Sequence, residues 1–188
     1  MRAVVDIETD AINATKIHCI VARRADTGET RHWIGDQCRE FGEWSKKIDI
    51  FIMHNGISFD APLLNKFTGS DIKVNQIDDT LIKSQLYNPI RDGGHSLEAW
   101  GNFLGHKKGD YHDFSHFNEE MLKYCYIDTA VTKETCEYLQ TEGEKFSDKS
   151  YDLERKVRSI VDKQQSNGFA FNLMKGMTLE ARLMDELH

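Results

Sequence analysis

The stretch MLKYCYIDTAVTKETCEYL, residues 121–139, carries its apolar side chains at the spacing of a helix. At 3.6 residues per turn, one face of that helix holds seven side chains: Met121, Tyr124, Cys125, Asp128, Val131, Thr135 and Leu139. This pattern predicts an amphipathic helix that buries the face. Asp128 stands in the middle of it, and a buried carboxylate is costly unless it is paired or binds a metal. The stretch therefore predicts either a buried ion pair or a metal ligand at residue 128.

Three further carboxylates stand at the ends of predicted elements. Asp6 and Glu8 are two residues apart in RAVVDIET (residues 2–9), a predicted strand, so their side chains leave the same face. Asp60 follows the apolar strand IFIMH (residues 50–54) and begins a predicted helix, a position where acidic residues often only cap the helix. Each of these carboxylates is a weak signal when taken alone.

Taken together, the four carboxylates indicate a site for hard divalent cations. The set offers oxygen ligands and no histidine or thiolate, which suits Mg²⁺ or Mn²⁺ better than zinc. Two such ions about 3.5–4 Å apart can hold both the attacking and the leaving oxygen of a phosphoryl transfer. Tyr124 lies one helical turn before Asp128, either as a core tyrosine or as part of this site.

The order of the predicted elements favours an α/β architecture, with a mixed sheet flanked by helices. The predicted strands are residues 2–9, 16–25, 30–35 and 48–55. The first two predicted helices are residues 38–48, between the third and fourth strands, and residues 58–67, after the fourth strand. The 188 residues suffice for one substantial core and an appendage. A boundary near GEKFSDKS (residues 143–150) predicts a main domain over residues 1–146 and a helical extension over residues 147–188.

Composition and charge narrow the class of protein. With 39% hydrophobic and 29% charged residues, the chain reads as an ordinary globular protein. A net charge of −7 argues against gripping nucleic acid by phosphate neutralisation alone, although bound divalent cations would reverse the sign of an acidic cleft. The four cysteines form no CxxC pair, and no apolar run is long enough to span a membrane. These features predict a cytoplasmic protein with reduced thiols and no membrane partner.

A polar loop, GHKKGDYHDFSH (residues 105–116), contains three histidines, His106, His112 and His116. They lack a recognised ligand spacing, so the loop is predicted to be solvated rather than to bind a metal.

Three motifs resemble those of the DEDD exonuclease superfamily. They are VVDIET (residues 4–9), HNGISFDAPLL (residues 54–64) and YCYID (residues 124–128), which correspond in order to DxE, to an Asp after NxxxF, and to YxxxD. Lys123 occupies the position where the histidine variant would need its His, so the resemblance is to the tyrosine subgroup. This subgroup includes the proofreading domains of family A DNA polymerases, and the chain looks most like the replicative polymerases of the T-seven group of phages.

The resemblance implies a ribonuclease H-like fold and two-metal hydrolysis of a DNA 3′ end that releases nucleoside monophosphates. The cofactors would be two divalent ions, Mg²⁺ or Mn²⁺. Asp6 would bridge both ions, Glu8 and Asp128 would complete the inner site, and Asp60 would hold the outer ion. Tyr124 would orient the attacking water together with Glu8.

Three further positions match residues that contact DNA in the family. Ile12 matches an apolar wedge against the terminal bases, Phe59 matches an aromatic beside the last nucleotide, and Asn55 would contact the terminal backbone. As residues of this sequence alone, Ile12 and Phe59 could equally be simple core or hairpin residues.

The implied partners are a single-stranded or frayed DNA 3′ end and a polymerase domain or subunit. If the gene belongs to a phage, the protein would work in the cytoplasm of the host bacterium. The alternatives are a 3′–5′ exoribonuclease of the same superfamily and a nucleic-acid-binding module without catalysis. An aspartyl phosphatase is excluded, because Glu8 replaces the second aspartate of that motif.

Overall fold

The predicted strand RAVVDIET is β1 (Arg2–Thr9), the central strand of the sheet in the computed structural model, which describes residues 1–106 and 111–187. Within these residues the sheet has five strands in the order β3-β2-β1-β4-β5. The other four are β2 (Ile17–Arg24), β3 (Thr30–Ile34), β4 (Ile50–Met53) and β5 (Ile77–Asp79).

The sheet is mixed, as predicted. Strand β2 runs antiparallel to both β1 and β3, whereas β4 is parallel to β1 and β5 is parallel to β4. Asp6 pairs with Val21 and Glu8 with Cys19, and the register shifts between Glu8 and Thr9, where β1 ends. Strand β5 was not predicted, because three residues are too few to show an alternating pattern.

Helices cover the sheet. The α-helices within the described residues are α1 (Phe41–Ser45), α2 (Asp60–Thr68), α3 (Thr80–Tyr87), α4 (Leu97–Leu104), α5 (Glu119–Glu142), α6 (Asp148–Asn167) and α7 (Leu173–Glu186). The single helix predicted for residues 38–48 is instead a 3₁₀ helix (Gly35–Glu40) followed by the short α1. The α/β, ribonuclease H-like fold class is confirmed.

The two faces of β1 serve different purposes. Val5 and Ile7 point into the main core, which also contains residues of α1, α2 and β4. Val4, on the opposite face, packs with Cys136 of α5. Since side chains alternate along a strand, Asp6 and Glu8 share the face of Val4 and are directed toward α5.

Helix α6 packs on α3 and is attached to the body by hydrogen bonds. Arg158 donates to Gln85 of α3 at 3.0 Å, and Ser58 Oγ donates to Asp162 at 2.8 Å. The division into residues 1–146 and 147–188 stays a prediction, and residue 188 lies outside the described residues.

The structure describes residues 105–106 and 111–116 of the loop that was predicted to be solvated. Residues 107–110 of this loop lie outside the described residues. His112 and His116 are exposed, and His106 Nε2 lies 2.9 Å from a carboxylate oxygen of Glu134. Among the helices described, none combines the length and the apolarity that crossing a bilayer requires.

Candidate metal centre

The four carboxylates of the motifs come from three elements of the fold. Asp6 and Glu8 lie near the end of β1, Asp60 is the first residue of α2, and Asp128 lies at the middle of α5. Three of them are deeply buried, with exposed fractions of 7% for Glu8, 4% for Asp60 and 6% for Asp128. The helix predicted for residues 121–139 therefore does bury Asp128, the carboxylate on its apolar face.

The four carboxylates are near enough for their charges to act on one another. Burial raises the pKa of Asp6 well above its usual range, and the charges of Asp128, Glu8 and Asp60 raise it further. Burial also raises the pKa of Asp60 to about 7, with additional contributions from the charges of Asp79 and Asp128. Like charges in a dry site oppose ionisation, and a bound cation would reverse that effect. The donor set therefore fits hard divalent cations.

Cys125 is part of this cluster, which the sequence analysis did not foresee. Its thiol donates a hydrogen bond to Oδ2 of Asp6 at 3.2 Å. One ligand atom each from Asp6, Glu8 and Cys125 lie within 4.8 Å of one another. Burial raises the pKa of the Cys125 thiol well above its usual range, so the sulfur keeps its proton and the site keeps its hard, carboxylate character.

Tyr124 is half-buried on α5 and lies in a group of aromatic rings. Its ring centroid lies 5.8 Å from that of Tyr111 and 6.3 Å from that of Phe114. The rings of Tyr111 and Phe114 meet edge to face at 5.1 Å. These two residues belong to the segment that was predicted to be a solvated loop. Their aromatic side chains are the feature of the sequence that indicates packing at this position.

The predicted DNA-contacting residues lie in different settings. Ile12 is 88% exposed at the tip of the β1–β2 loop, so the alternative of a core residue is wrong for this position. Asp10 shapes that loop by accepting hydrogen bonds from the main-chain amides of Thr15 at 2.9 Å and Lys16 at 3.3 Å. An exposed isoleucine on a tied loop is available for contact with a ligand.

Asn55 and Phe59 lie in the turn between β4 and α2. Asn55 has a positive φ of 63°, a conformation that Asn tolerates better than most residues. Phe59 immediately precedes Asp60 and packs, half-buried, against the main core. The structure therefore places both residues in the turn that leads to Asp60, the carboxylate that begins α2.

The chain is similar to known polymerases in sequence. It is 26% identical to the DNA-directed DNA polymerase of Escherichia phage T7 over 234 aligned positions, which include 89% of this chain and 33% of the polymerase. The polymerase of Enterobacteria phage T3 is 25% identical, with the same coverage. The chain thus spans about a third of the length of these curated relatives. The aligned positions outnumber the 188 residues of the chain, so the relatives carry insertions relative to it.

The fold is also found among solved structures. NrnC of Brucella melitensis, solved bound to pGG, matches with a TM-score of 0.54 and 16% identity, over 91% of this chain and 89% of NrnC. No family model matches the chain. The order of the three motifs, the fold and the sequence similarity to the phage polymerases together support the resemblance to the DEDD exonucleases.

Proposed function

We propose that this protein is a 3′–5′ exonuclease that hydrolyses the terminal phosphodiester of DNA and releases nucleoside monophosphates. The observation that carries the proposal is that the charges of Asp6, Glu8, Asp60 and Asp128 act on one another in a buried region, with Tyr124 on the same helix as Asp128. A cluster of this charge is unfavourable alone and suits a reaction that runs on divalent cations.

Two divalent ions, Mg²⁺ or Mn²⁺, would supply charge stabilisation and an activated water when bound. Asp6 would hold both ions, with Glu8 and Asp128 completing the inner position and Asp60 serving the outer one. The Cys125 thiol limits the freedom of Asp6 through its hydrogen bond. These residues act by fixing ligand oxygens before the substrate arrives, which is the main contribution a protein makes to phosphoryl transfer.

Tyr124 would orient the attacking water together with Glu8. A phenol hydroxyl can both donate and accept a hydrogen bond, which suits a group that holds water without taking its proton. The neighbouring rings of Tyr111 and Phe114 restrict the ring of Tyr124. We therefore assign Tyr124 a catalytic role by contact with the water.

The 3′ end of the DNA would lie between the β1–β2 loop and the turn before α2. The exposed side chain of Ile12 would press against the terminal bases, and the ring of Phe59 would pack beside the last nucleotide. Asn55 would contact the terminal backbone.

The similarity to phage polymerases supports a proofreading role, in which a polymerase domain or subunit delivers a frayed 3′ end. The net charge of −7 fits this arrangement, since a partner would provide the basic surface that grips the duplex. We place this activity in the cytoplasm, including that of a bacterial host.

The test is a gel assay with single-stranded DNA labelled at its 5′ end, and a matched RNA, in Mg²⁺ or in EDTA. We expect a ladder that shortens from the 3′ end of the DNA in Mg²⁺ and no products in EDTA. Asp128→Ala is the negative control and should leave the oligonucleotide intact. Preferential trimming of the RNA would move the function to an exoribonuclease. Intact DNA and RNA, with metal binding shown by calorimetry, would overturn the proposal in favour of a binding module.

A further inference from the structure

Asp79 is a buried carboxylate outside the three motifs. It is the last residue of β5 and only 1% exposed. Its Oδ1 accepts hydrogen bonds from the main-chain amides of Asn55 at 3.1 Å, Leu81 at 3.0 Å and Ile82 at 3.4 Å. Its Oδ2 accepts from the amide of Ile57 at 3.1 Å. One side chain therefore caps α3 and, at the same time, binds the turn that follows β4.

The turn bound by Asp79 leads directly to a proposed metal ligand. Within the turn, the amide of Phe59 donates to the carbonyl of Asn55 at 3.1 Å, and that of Ala61 donates to the carbonyl of Gly56 at 2.9 Å. These bonds join the anchored residues to the first turn of α2, which Asp60 begins. A shift of the anchored residues would consequently move Asp60.

Helix α6 also binds the end of β5 and the turn between β4 and α2. The main-chain amide of Asp79 donates to Oη of Tyr151 at 2.6 Å, and Ser58 in the turn donates to Asp162 at 2.8 Å. Both the strand end that carries Asp79 and the turn that it binds are therefore fixed to one helix.

We propose that Asp79 is a positioning residue of the candidate site, whose carboxylate fixes the turn that presents Phe59 and Asp60 to the metal and the 3′-terminal nucleotide. The inference rests on the proposed function for its consequence in catalysis. Asp79 acts through the turn, and its oxygens are occupied by main-chain amides rather than directed at a substrate.

The substitution Asp79→Asn separates the two tasks of this carboxylate. The amide oxygen can keep the three bonds made at Oδ1, and Asn caps helices as well as Asp does. The amide nitrogen would instead face the amide of Ile57, which leaves two donors opposed. The matched control is Asp78→Asn, in the same strand, because Asp78 pairs with Arg2 at 3.2 Å and with Lys83 rather than with the turn. Asp78 Oδ1 also accepts a hydrogen bond from Tyr151 Oη at 3.5 Å, which the amide oxygen of Asn can keep.

Two measurements on the full chain test the proposal. In the first, without metal or substrate, hydrogen exchange of the Ile57 amide should accelerate about tenfold or more in Asp79→Asn and stay near wild type in Asp78→Asn. In the second, the Mg²⁺ concentration for half-maximal trimming of DNA should rise about tenfold in Asp79→Asn alone, under conditions where circular dichroism shows both variants fully folded.

Equal exchange of the Ile57 amide in the two variants, or an unchanged Mg²⁺ requirement in Asp79→Asn, would overturn the proposal. If Asp79→Asn does not fold, Tyr151→Phe replaces it, since the loss of Oη releases the amide of Asp79 and should shift both readouts in the same direction by less. The exchange measurement needs no turnover. A wild-type protein that trims nothing would therefore defeat the proposed function while the anchoring of the turn stays measurable.

Discussion

Helices α5 and α7 are both amphipathic, yet the structure treats their apolar faces differently. On α5, Met121, Val131 and Leu139 are completely buried against the sheet and α4. On α7, Leu183 is 49% exposed and Leu179 is 57% exposed. The comparison shows that helical periodicity predicts which face of a helix is apolar, whereas only the tertiary structure shows whether that face is covered.

The largest expected effect is a loss of catalysis without a loss of stability, caused by a substitution in the buried carboxylate cluster. In Asp6→Asn, trimming of DNA should fall at least about a thousandfold, since a ligand shared by both metal ions contributes several kcal/mol to the barrier. Stability without metal should not fall, because the substitution relieves the repulsion among the carboxylates.

Single-turnover kinetics and urea unfolding in EDTA check these two statements. Asp36→Asn, an exposed carboxylate near β3, serves as the control and should change neither quantity. Trimming by Asp6→Asn at the wild-type rate would show that the metal assignment is wrong.

The second prediction compares the two helices directly with one type of substitution. Leu139→Ala in α5 should lower the free energy of unfolding by about 2–5 kcal/mol, because it leaves a cavity in a close-packed region. Leu183→Ala in α7 should change it by less than about 0.5 kcal/mol, as at other exposed positions. Denaturant unfolding of the two variants measures the difference, and equal losses would mean that the face of α7 is covered in solution.

The third prediction concerns the pH dependence of the protein without metal. The pKa of Asp60 is raised from 3.8 to about 7, and that of Asp6 is also raised, so the native state keeps protons that the unfolded chain releases. This contribution to stability is complete below about pH 4 and is lost as the pH rises through about 7.

The melting temperature in EDTA should accordingly fall between about pH 5 and about pH 8, and saturating Mg²⁺ should restore it at the higher pH. Calorimetric scans in the two conditions provide the check. A melting temperature in EDTA that rises over this range would contradict the burial of the uncompensated carboxylates.

The smallest expected effect is on the KM for DNA and concerns Ile12, an exposed residue of the β1–β2 loop. Ile12→Ala should raise the KM for DNA about two- to fivefold, because one aliphatic contact is worth about 1 kcal/mol or less, and it should leave stability unchanged. Ile90→Ala is a closely matched control, since Ile90 is 89% exposed and Ile12 is 88% exposed. Equal KM values for the two variants would remove Ile12 from the DNA-contacting surface.

The features that could be predicted from the sequence are the elements whose apolar residues recur at a regular spacing. The strand at residues 2–9 and the helix at residues 121–139 are long and periodic, so their type and the faces that carry Asp6 and Asp128 followed from spacing alone. Asp60 was included because it follows an apolar strand and begins a predicted helix.

The features that were missed depend on contacts between distant residues. Asp79 accepts hydrogen bonds from main-chain amides that lie 24 and 22 positions earlier in the sequence. The thiol of Cys125 donates to Asp6, which lies 119 positions earlier. Strand β5 exists because it pairs with β4, and its three residues carry too little pattern to be recognised. Spacing along the chain contains no record of such pairings.

The hydrogen bonds of α6 have a practical consequence for joining this domain to other proteins. A fragment cut at residue 146 would lose Tyr151 and Asp162, and with them two bonds that hold the β4–α2 turn and the strand end beside it. A fusion seam placed after Asn167, where α6 ends and Gly168 takes a positive φ of 64°, would keep both. We therefore expect the smallest fragment that keeps this turn in place to include the whole of α6.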